Sequence, residues 1–148
     1  MFKIIFFIFL FFFQFKNMFS QDEFFQTLRN DIVNMRQGPS FEYPVKIVYK
    51  KKFLPVLIQD KSDNFRKIRD HENNTGWIHR SQLSKKKAAI VVDDNLILFS
   101  GSTIFSNPLA ILKKGRLVVI SKCKNDWCKV KSGEFSGWLK KDSLWGLL

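Results

Sequence analysis

The stretch DNFRKIRDHENNTGWIHRSQL, residues 63–83, decides the fold because the chain contains it twice. The second copy, residues 125–144, reads NDWCKVKSGEFSGWLKKDSL. When the two are aligned, Gly76-Trp77-Ile78 corresponds to Gly137-Trp138-Leu139 after a one-residue slip in the loop. A repeat of roughly sixty residues is too long for a solenoid unit and suits a small β-domain. The sequence therefore predicts two copies of one module.

Within each copy, short apolar stretches alternate with turn residues. Phe65, Lys67 and Arg69 alternate with Arg66 and Ile68, which is the period of a β-strand. Further strand-like stretches cover residues 44–49, 54–58, 96–99, 108–112 and 116–121. Short strands with such turns at close spacing indicate a small barrel.

Some segments are less regular. Residues 22–29 fit either a short helix or a first strand, and residues 60–64 are expected to form a turn. Ala88–Val92 can close the first module, and residues 145–148 can supply the last strand. Single turns of tight helix are expected at residues 81–84 and 142–144, and no longer helix is needed after Arg29.

Residues 1–20 are predicted to be a signal peptide. Lys3 supplies a positive start, and Ile4–Phe13 is an unbroken apolar run. Such a run is too short for a membrane span, which needs about twenty residues, but it fits the core of a secretory signal. Ser20 would place cleavage before Gln21. We therefore expect export to the periplasm or cell envelope. An uncleaved membrane anchor and a buried N-terminal strand are the alternatives.

The chain is basic, with a formal net charge of +12. Without residues 1–20 the net charge is about +10, which favours anionic partners such as acidic glycans, peptides or lipid headgroups. Export makes nucleic acid the least suitable of the anionic partners, so none is expected. Membrane contact is expected only through an uncleaved leader. The alternative is that the excess lysine forms a solvated face and reflects composition alone.

The two cysteines, Cys123 and Cys128, lie in the second copy. If Asn125-Asp126 is a two-residue hairpin turn, these cysteines face each other across an antiparallel pair, close enough for a disulfide. An oxidising compartment favours the bond over free thiols. The first copy has Lys61 and Arg66 at the matching positions. A metal site needs more ligands than this pair offers, so neither a metal nor another cofactor is expected.

Several motifs together resemble a known family. Asn34-x-Arg36-x-Gly38-Pro39 precedes a long loop, an aromatic-x-Lys/Arg strand and Gly-Trp-Ile. The second copy adds the Cys-x4-Cys hairpin and ends in Leu144-Trp145-Gly146. This ordered set, found twice, resembles the bacterial SH3-like (SH3b) domain in its exported tandem form, over residues 25–148. The resemblance implies an all-β fold of two tandem small SH3-like barrels packed together, with short 3-10 turns only. The expected domains are residues 21–87 and 88–148.

The second copy departs from the family pattern at one motif. Ile97–Ser102 replaces the Asn-x-Arg-x-Gly-Pro motif, and only Gly101 is retained. A ligand role for Arg36 therefore cannot be transferred to the second module.

Five residues are candidates for lining a ligand groove: Arg36, Tyr43, Phe65, Trp77 and Trp138. Grooves of SH3 type receive extended chains on aromatic side chains. Each candidate also has a structural interpretation. Arg36 can hydrogen-bond loop carbonyls, or pair with a ligand carboxylate. Phe65 faces inward by alternation and fits core packing, as does its counterpart Trp127. Trp77 and Trp138, which each follow a glycine, could instead cover an end of the barrel.

We expect no catalytic activity. Catalysis needs a nucleophile with a base, paired carboxylates or a metal. His71 and His79 have no Ser or Cys partner at a suggestive spacing and are interpreted as surface histidines. A disulfide would remove the nucleophilicity of Cys128. The family resemblance implies a cell-envelope binding module whose groove recognises peptidoglycan or an extended peptide. The alternative is a periplasmic scaffold that binds another envelope protein through its cationic surface.

Overall fold

The computed structural model describes residues 22–148, so the predicted signal peptide lies outside the described residues. These residues form two antiparallel sheets of seven strands each. The first sheet contains β1 Phe24–Leu28, β2 Val33–Arg36, β3 Val45–Tyr49, β4 Pro55–Ser62, β5 Phe65–Arg69, β6 Thr75–His79 and β7 Leu83–Ser84. The second contains β8 Ala88–Val91, β9 Leu96–Phe99, β10 Pro108–Leu112, β11 Leu117–Lys124, β12 Trp127–Ser132, β13 Phe135–Lys140 and β14 Leu144–Trp145.

The two sheets have the same topology. Their strand orders are β3-β2-β6-β5-β4-β1-β7 and β10-β9-β13-β12-β11-β8-β14. Adding seven to each strand number converts the first order into the second, which confirms the repeat read from the sequence. Within residues 22–148, helix is limited to two 3-10 turns, Arg80–Gln82 and Lys141–Ser143. The all-β prediction is therefore confirmed. In the same residues no helix has the length and apolarity that a membrane crossing requires.

Each sheet encloses one apolar core, because strands from both of its edges contribute to the same cluster. In the first module these residues are Leu28, Val33, Met35, Tyr49, Leu54, Val56, Ile58, Ile68, Ile78 and Leu83. In the second they are Ala89, Val91, Leu98, Leu112, Val118, Ile120, Cys128, Val130, Leu139 and Leu144. A sheet that buries one face against itself in this way is a small barrel.

Equivalent glycines close both barrels. A Cβ on Gly76 would lie 2.8 Å from the carbonyl oxygen of Arg36, and one on Gly137 would lie 2.5 Å from that of Phe99. These contacts are too short for any side chain, so the strand crossing excludes a β-carbon. This explains why glycine precedes tryptophan in both copies.

The modules pack together through side chains that cross between them. Ile90 belongs to the second sheet, yet its side chain is buried in the first core, with Leu117 packed beside it. The ring of Trp145 meets Phe25 edge-on, with centroids 4.8 Å apart, and lies 6.1 Å from the ring of His71. The expectation of two barrels leaning on each other is therefore confirmed. The division between residues 87 and 88 stays a prediction.

Several finer expectations were wrong. Ala88–Val92 does not close the first module, because β8 pairs with β11 and β14 in the second sheet. Its counterpart β1 makes the same pairings in the first sheet, which settles residues 22–29 as containing a strand. The expected last strand, residues 145–148, is reduced to β14.

The hairpin strands are also longer than predicted. Strand β4 continues to Ser62 and β11 to Lys124. Each passes a register shift, between Ile58 and Asp60 and at the equivalent place in β11. A bulge moves the alternation by one residue, so the sequence pattern breaks while the ladder continues.

Candidate binding groove

The outer face of the first sheet brings together three of the five predicted site residues, Arg36, Phe65 and Trp77. The register places Arg36 opposite Trp77, Trp77 opposite Lys67, and Phe65 opposite His79. Directly opposed residues in an antiparallel pair share a face. These side chains therefore lie on the face turned away from the core. Trp138 lies on the other module.

Phe65 is the floor of a shallow hollow of about 190 Å³. Its side chain is buried, but outside the main core, because Phe41 and His79 cover it. The ring centroids of these three residues are each 5.2 Å from the other two, with Phe41 stacked on His79 and Phe65 edge-on to both. The other lining residues are Ile32, Asn34, Arg36 and Gln82. An aromatic floor beside a guanidinium can receive an extended polar chain.

Arg36 holds the loop that forms one wall of the hollow. Its Nη1 donates hydrogen bonds to the carbonyl oxygens of Phe41, at 3.1 Å, and Tyr43, at 2.9 Å. The guanidinium carbon also lies 5.4 Å from the centroid of the Phe41 ring. A guanidinium carries five N–H donors. Arg36 can therefore shape the loop through Nη1 and still offer donors to a ligand carboxylate.

Tyr43 lies on the back of the same loop, outside the residues that line the hollow. A Cβ on Gly38 would come 2.5 Å from the Tyr43 ring, so the ring packs directly on the glycine backbone. This contact explains why residue 38 is glycine. Tyr43 remains half exposed and can meet a ligand that extends past the loop.

Trp77, which lies opposite Arg36 in the ladder, lines a second concavity of about 460 Å³. Its walls are Gln37, Lys46, Lys67, Thr75 and Gly76. The Nζ of Lys46 donates a 2.8 Å hydrogen bond to the carbonyl oxygen of Thr75, which places one ammonium at the rim. The hollow and this concavity together form a surface with aromatic and cationic side chains, which we call the first-module groove.

In the second module, other side chains occupy the equivalent positions. Phe99 replaces Arg36 opposite the tryptophan of Gly-Trp. It packs edge-on to Trp127 at 5.7 Å. The Nζ of Lys122 lies 5.7 Å from the Trp138 ring centroid, and that of Lys140 lies 6.0 Å from Trp127. The corresponding surface is therefore aromatic and lysine-rich, without the guanidinium.

The second-module loop has the same form but a different brace. Ser106, at the Tyr43 position, donates from Oγ to the carbonyl oxygen of Thr103 at 2.7 Å and accepts from the Gly101 N–H at 3.1 Å. Ser100 and Asn107 close the loop base by a 2.8 Å backbone hydrogen bond. The loop shape therefore does not depend on an arginine.

A buried carboxylate supports the turn that leads to Trp77. Asp70 accepts hydrogen bonds from the backbone N–H groups of Glu72 and Asn74, each at 2.9 Å, and from the Tyr49 hydroxyl at 2.8 Å. Burial by itself would raise the pKa of Asp70, but the hydrogen bonds from Asn74, Tyr49 and Glu72 together lower it below its ordinary value. Burial, with the Asp70 carboxylate as the next cause, raises the pKa of Tyr49.

The disulfide prediction is confirmed. Cys123 and Cys128 are opposed in the β11–β12 ladder and are bonded, and Lys124 faces Trp127.

The sequence indicated no Ser partner for His79, and on this point it was wrong. The Nδ1 of His79 lies 2.7 Å from the Ser81 Oγ. The same Nδ1 accepts a 3.3 Å hydrogen bond from the Ser81 backbone N–H, which caps the 3-10 turn. Within residues 22–148, no group of three or more His, Cys, Asp or Glu side chains is placed to hold a metal.

Sequence reasoning missed Phe41 and His79 as parts of the hollow. Phe41 was available as the second aromatic residue of the loop that contains Tyr43. His79 follows Trp77 by two residues on the same strand, which places it on the same face. Neither pattern shows that the loop folds over the sheet and stacks these two rings.

Comparison with known proteins assigns the family. The family model of the bacterial SH3 domain matches the chain twice, at residues 29–85 and 92–146. The chain therefore belongs to the bacterial SH3 domain family, in a tandem form. Domains of this family are commonly binding modules for the cell wall.

The solved structures are more distant. NlpC2 and NlpC1 from Trichomonas vaginalis each match with 14% sequence identity and a TM-score of 0.38. The match covers 84% of this chain and 48% of NlpC2 or 46% of NlpC1, so the chain spans about half the length of these proteins. No protein of curated function matches the sequence.

Proposed function

We propose that the protein is a non-catalytic binding module of the bacterial cell envelope, and that its first-module groove recognises peptidoglycan or an extended peptide. The observation that carries the proposal is the hollow over Phe65, with the Arg36 guanidinium at its wall. Family membership supports the class of function. Export to the periplasm or envelope is part of the proposal and rests on the apolar run at residues 4–13.

The groove offers two kinds of contact. The rings of Phe41 and His79 present apolar faces on which a sugar ring or peptide backbone can pack. Arg36 offers the remaining N–H donors of its guanidinium to a carboxylate, and peptide stems and chain ends carry such groups. Trp77, with Lys46 and Lys67 beside it, extends the same surface and would contact the next part of an extended ligand.

Sedimentation with purified peptidoglycan sacculi tests the proposal. The assay uses a chain that begins at Asp22, which contains every strand of both sheets, so that the apolar leader does not contribute. We expect saturable pull-down, weakened about tenfold by Phe41→Ala or Trp77→Ala, since a stacked aromatic contributes 1–2 kcal/mol or more at a binding site. Trp138→Ala reports whether the second module takes part.

Phe105→Ala is the matched control, because Phe105 is an exposed loop phenylalanine of the second module and lies outside the groove. It should leave sacculus binding unchanged. Binding that disappears at moderate salt and ignores both groove substitutions would show attraction by charge alone. Absence of sedimentation, with an envelope protein recovered by crosslinking, would favour the scaffold function instead.

A further inference from the structure

The second module carries an uncharged hairpin that the proposed groove does not explain. Residues 95–112, which form β9, the loop and β10, contain no charged side chain, although 26% of the chain is charged. The equivalent hairpin of the first module, residues 32–49, contains Arg36, Glu42 and Lys46. The two loops have the same length and the same closing hydrogen bonds, so the hairpins differ in their side chains and not in their backbone.

Several apolar side chains of this hairpin are exposed, although Leu98 and Leu112 are buried in the core. Phe105, at the tip of the loop, is 91% exposed, and its neighbour Ile104 is 56% exposed. Ile97 and Ile111 oppose each other across β9 and β10 and are 39% and 66% exposed. Side chains of this size and exposure, grouped on one element, mark an interaction surface. The first-module loop folds over the outer sheet face, as the Phe41–Phe65 contact shows.

The strands beside the hairpin add aromatic and cationic groups to the same outer face. Alternation from Phe99 places Ile97 on the face of Trp138 and Trp127. The remaining positions of that face on β11, β12 and β13 are almost all lysines: Lys122, Lys124, Lys129, Lys131 and Lys140. The exceptions are Ser136 on β13 and Val119 on β11, which lies opposite Lys131.

No carboxylate lies among these strand positions. The acidic residues nearest in sequence, Asp126, Glu134 and Asp142, lie in the turns and the 3-10 helix at the ends of the strands. We call the whole set, from Ile97 and the tip Ile104-Phe105 to Lys122 and Lys140, the lysine–aromatic face. It combines exposed apolar side chains, tryptophans and an excess of positive charge, with Asp126 and Asp142 beside Trp127 and Lys140 at one end.

We propose that the lysine–aromatic face docks on a bilayer surface that contains anionic phospholipid. Lysines close to an anionic leaflet are attracted to its phosphate groups. Trp and Tyr rings favour the interface between headgroups and acyl chains, where Trp127 and Trp138 would lie. The uncharged tip Ile104-Phe105 would insert among the headgroups. A soluble acidic polymer would use the lysines but gains little from a projecting Phe and Ile.

Vesicle co-sedimentation tests the docking. The chain from Asp22 onward is mixed with vesicles of phosphatidylcholine containing about a third phosphatidylglycerol, or of phosphatidylcholine alone. We expect binding to the anionic vesicles, a shift of tryptophan emission to shorter wavelength, and much weaker binding to neutral vesicles. Phe105→Ser and the double change K122Q/K140Q should each weaken binding about tenfold.

Each variant has a matched control on the first module. Phe24→Ser removes another exposed phenylalanine, and K50Q/K51Q removes the same charge from an exposed turn. Both should change binding less than about twofold. Equal losses of binding in K50Q/K51Q and K122Q/K140Q would show that net charge alone explains vesicle binding, and would overturn the proposal. Absence of binding to anionic vesicles would also overturn it.

Two further results would assign the face to another occupant. A dimer in sedimentation equilibrium that dissociates in Phe105→Ser would show that a second copy covers it. Equally tight binding to soluble polyglutamate, insensitive to Phe105→Ser, would show a site for acidic polymers. Either result overturns membrane docking. Neither affects the sacculus assay, which depends on Phe41 and Trp77.

Discussion

Asp70 is the buried charged residue whose role the structure explains most directly. Its carboxylate holds the turn between β5 and β6, and Tyr49 supplies a donor from β3. Leu112 replaces Tyr49 in the second module, and Ser132 there accepts a 2.8 Å hydrogen bond from Arg116 Nε. The polar network is thus particular to the first module, where it fixes the turn beside Trp77.

Tyr49→Phe should therefore destabilise the protein. The change removes a hydrogen bond to a buried charged group, so we expect a loss of about 2 kcal/mol in the free energy of unfolding. Urea denaturation measures it. Tyr43→Phe is the control, because Tyr43 is half exposed, and it should cost less than about 0.5 kcal/mol. Equal effects of the two changes would contradict the assigned role of the Tyr49 hydroxyl.

The lowered pKa of Asp70 predicts acid sensitivity. A carboxyl group with a folded-state pKa below its unfolded value stabilises the fold above the unfolded pKa, near 4. That stabilisation is lost as the pH falls from about 4 through the folded pKa. Urea midpoints measured between about pH 2 and 6 should show the loss. Asp70→Asn should be less stable at neutral pH and show a flatter acid dependence, whereas Asp94→Asn, at an exposed turn, should follow the wild-type curve.

The sequence indicated some of these residues better than others. Arg36 was open to two interpretations, and its contacts with the Phe41 and Tyr43 carbonyls support the bracing of the loop. The alternation around Phe65 predicted an inward side chain, yet Phe65 is buried on the outer face. Alternation gives the side of the strand, but it does not say that a neighbouring loop will cover that side.

Among the elements, the β11–β12 hairpin was the most predictable. Its turn residues Asn125-Asp126 fix the register, and the register brings the cysteines together. Asn125 has φ 53°, the left-handed conformation that such a tight turn requires. The bulges in β4 and β11 were not predictable, because a one-residue shift in alternation looks the same as the end of a strand.

Reduction of the Cys123–Cys128 disulfide should lower stability only moderately. The bond closes a short segment, with a sequence separation of 5. The chain-entropy relation for such a small loop gives about 2 kcal/mol. Urea unfolding with and without a phosphine reductant measures the loss. A Cys123→Ala/Cys128→Ala variant should not respond to the reductant, and a response there would place the effect elsewhere.

At the scale of the whole molecule, the repeat predicted the two barrels, but no pattern predicted which side chains cross between them. By alternation, the side chains of Ile90 and Trp145 could equally well pack inside their own module. Phe25 lies 120 residues before Trp145, and the core that receives Ile90 is built from the strands of the other module. The identity of cross-module neighbours depends on how the barrels are oriented, which local sequence does not encode.

Trp145→Ala should uncouple the two barrels. Removing a half-buried tryptophan and its edge contact with Phe25 should cost about 2 kcal/mol. We also expect the calorimetric unfolding to separate into two transitions. Trp127→Ala is the matched control, since Trp127 makes a similar edge contact with Phe99 inside one module. It should lower the melting temperature without separating the transitions. A single transition in both variants would show that Ile90 and Leu117 suffice for coupling.

The position of Ile90 has a consequence for the history of such a gene. A tandem duplication is ordinarily reversible, since recombination between the copies restores the ancestor. Here the excision of either copy would leave its sibling defective: the first would lack a filler for its interior, and the second would expose an isoleucine. The two modules are therefore expected to be inherited together. Proteins that have lost one module should be rare unless another side chain fills the space that Ile90 occupies in the first core.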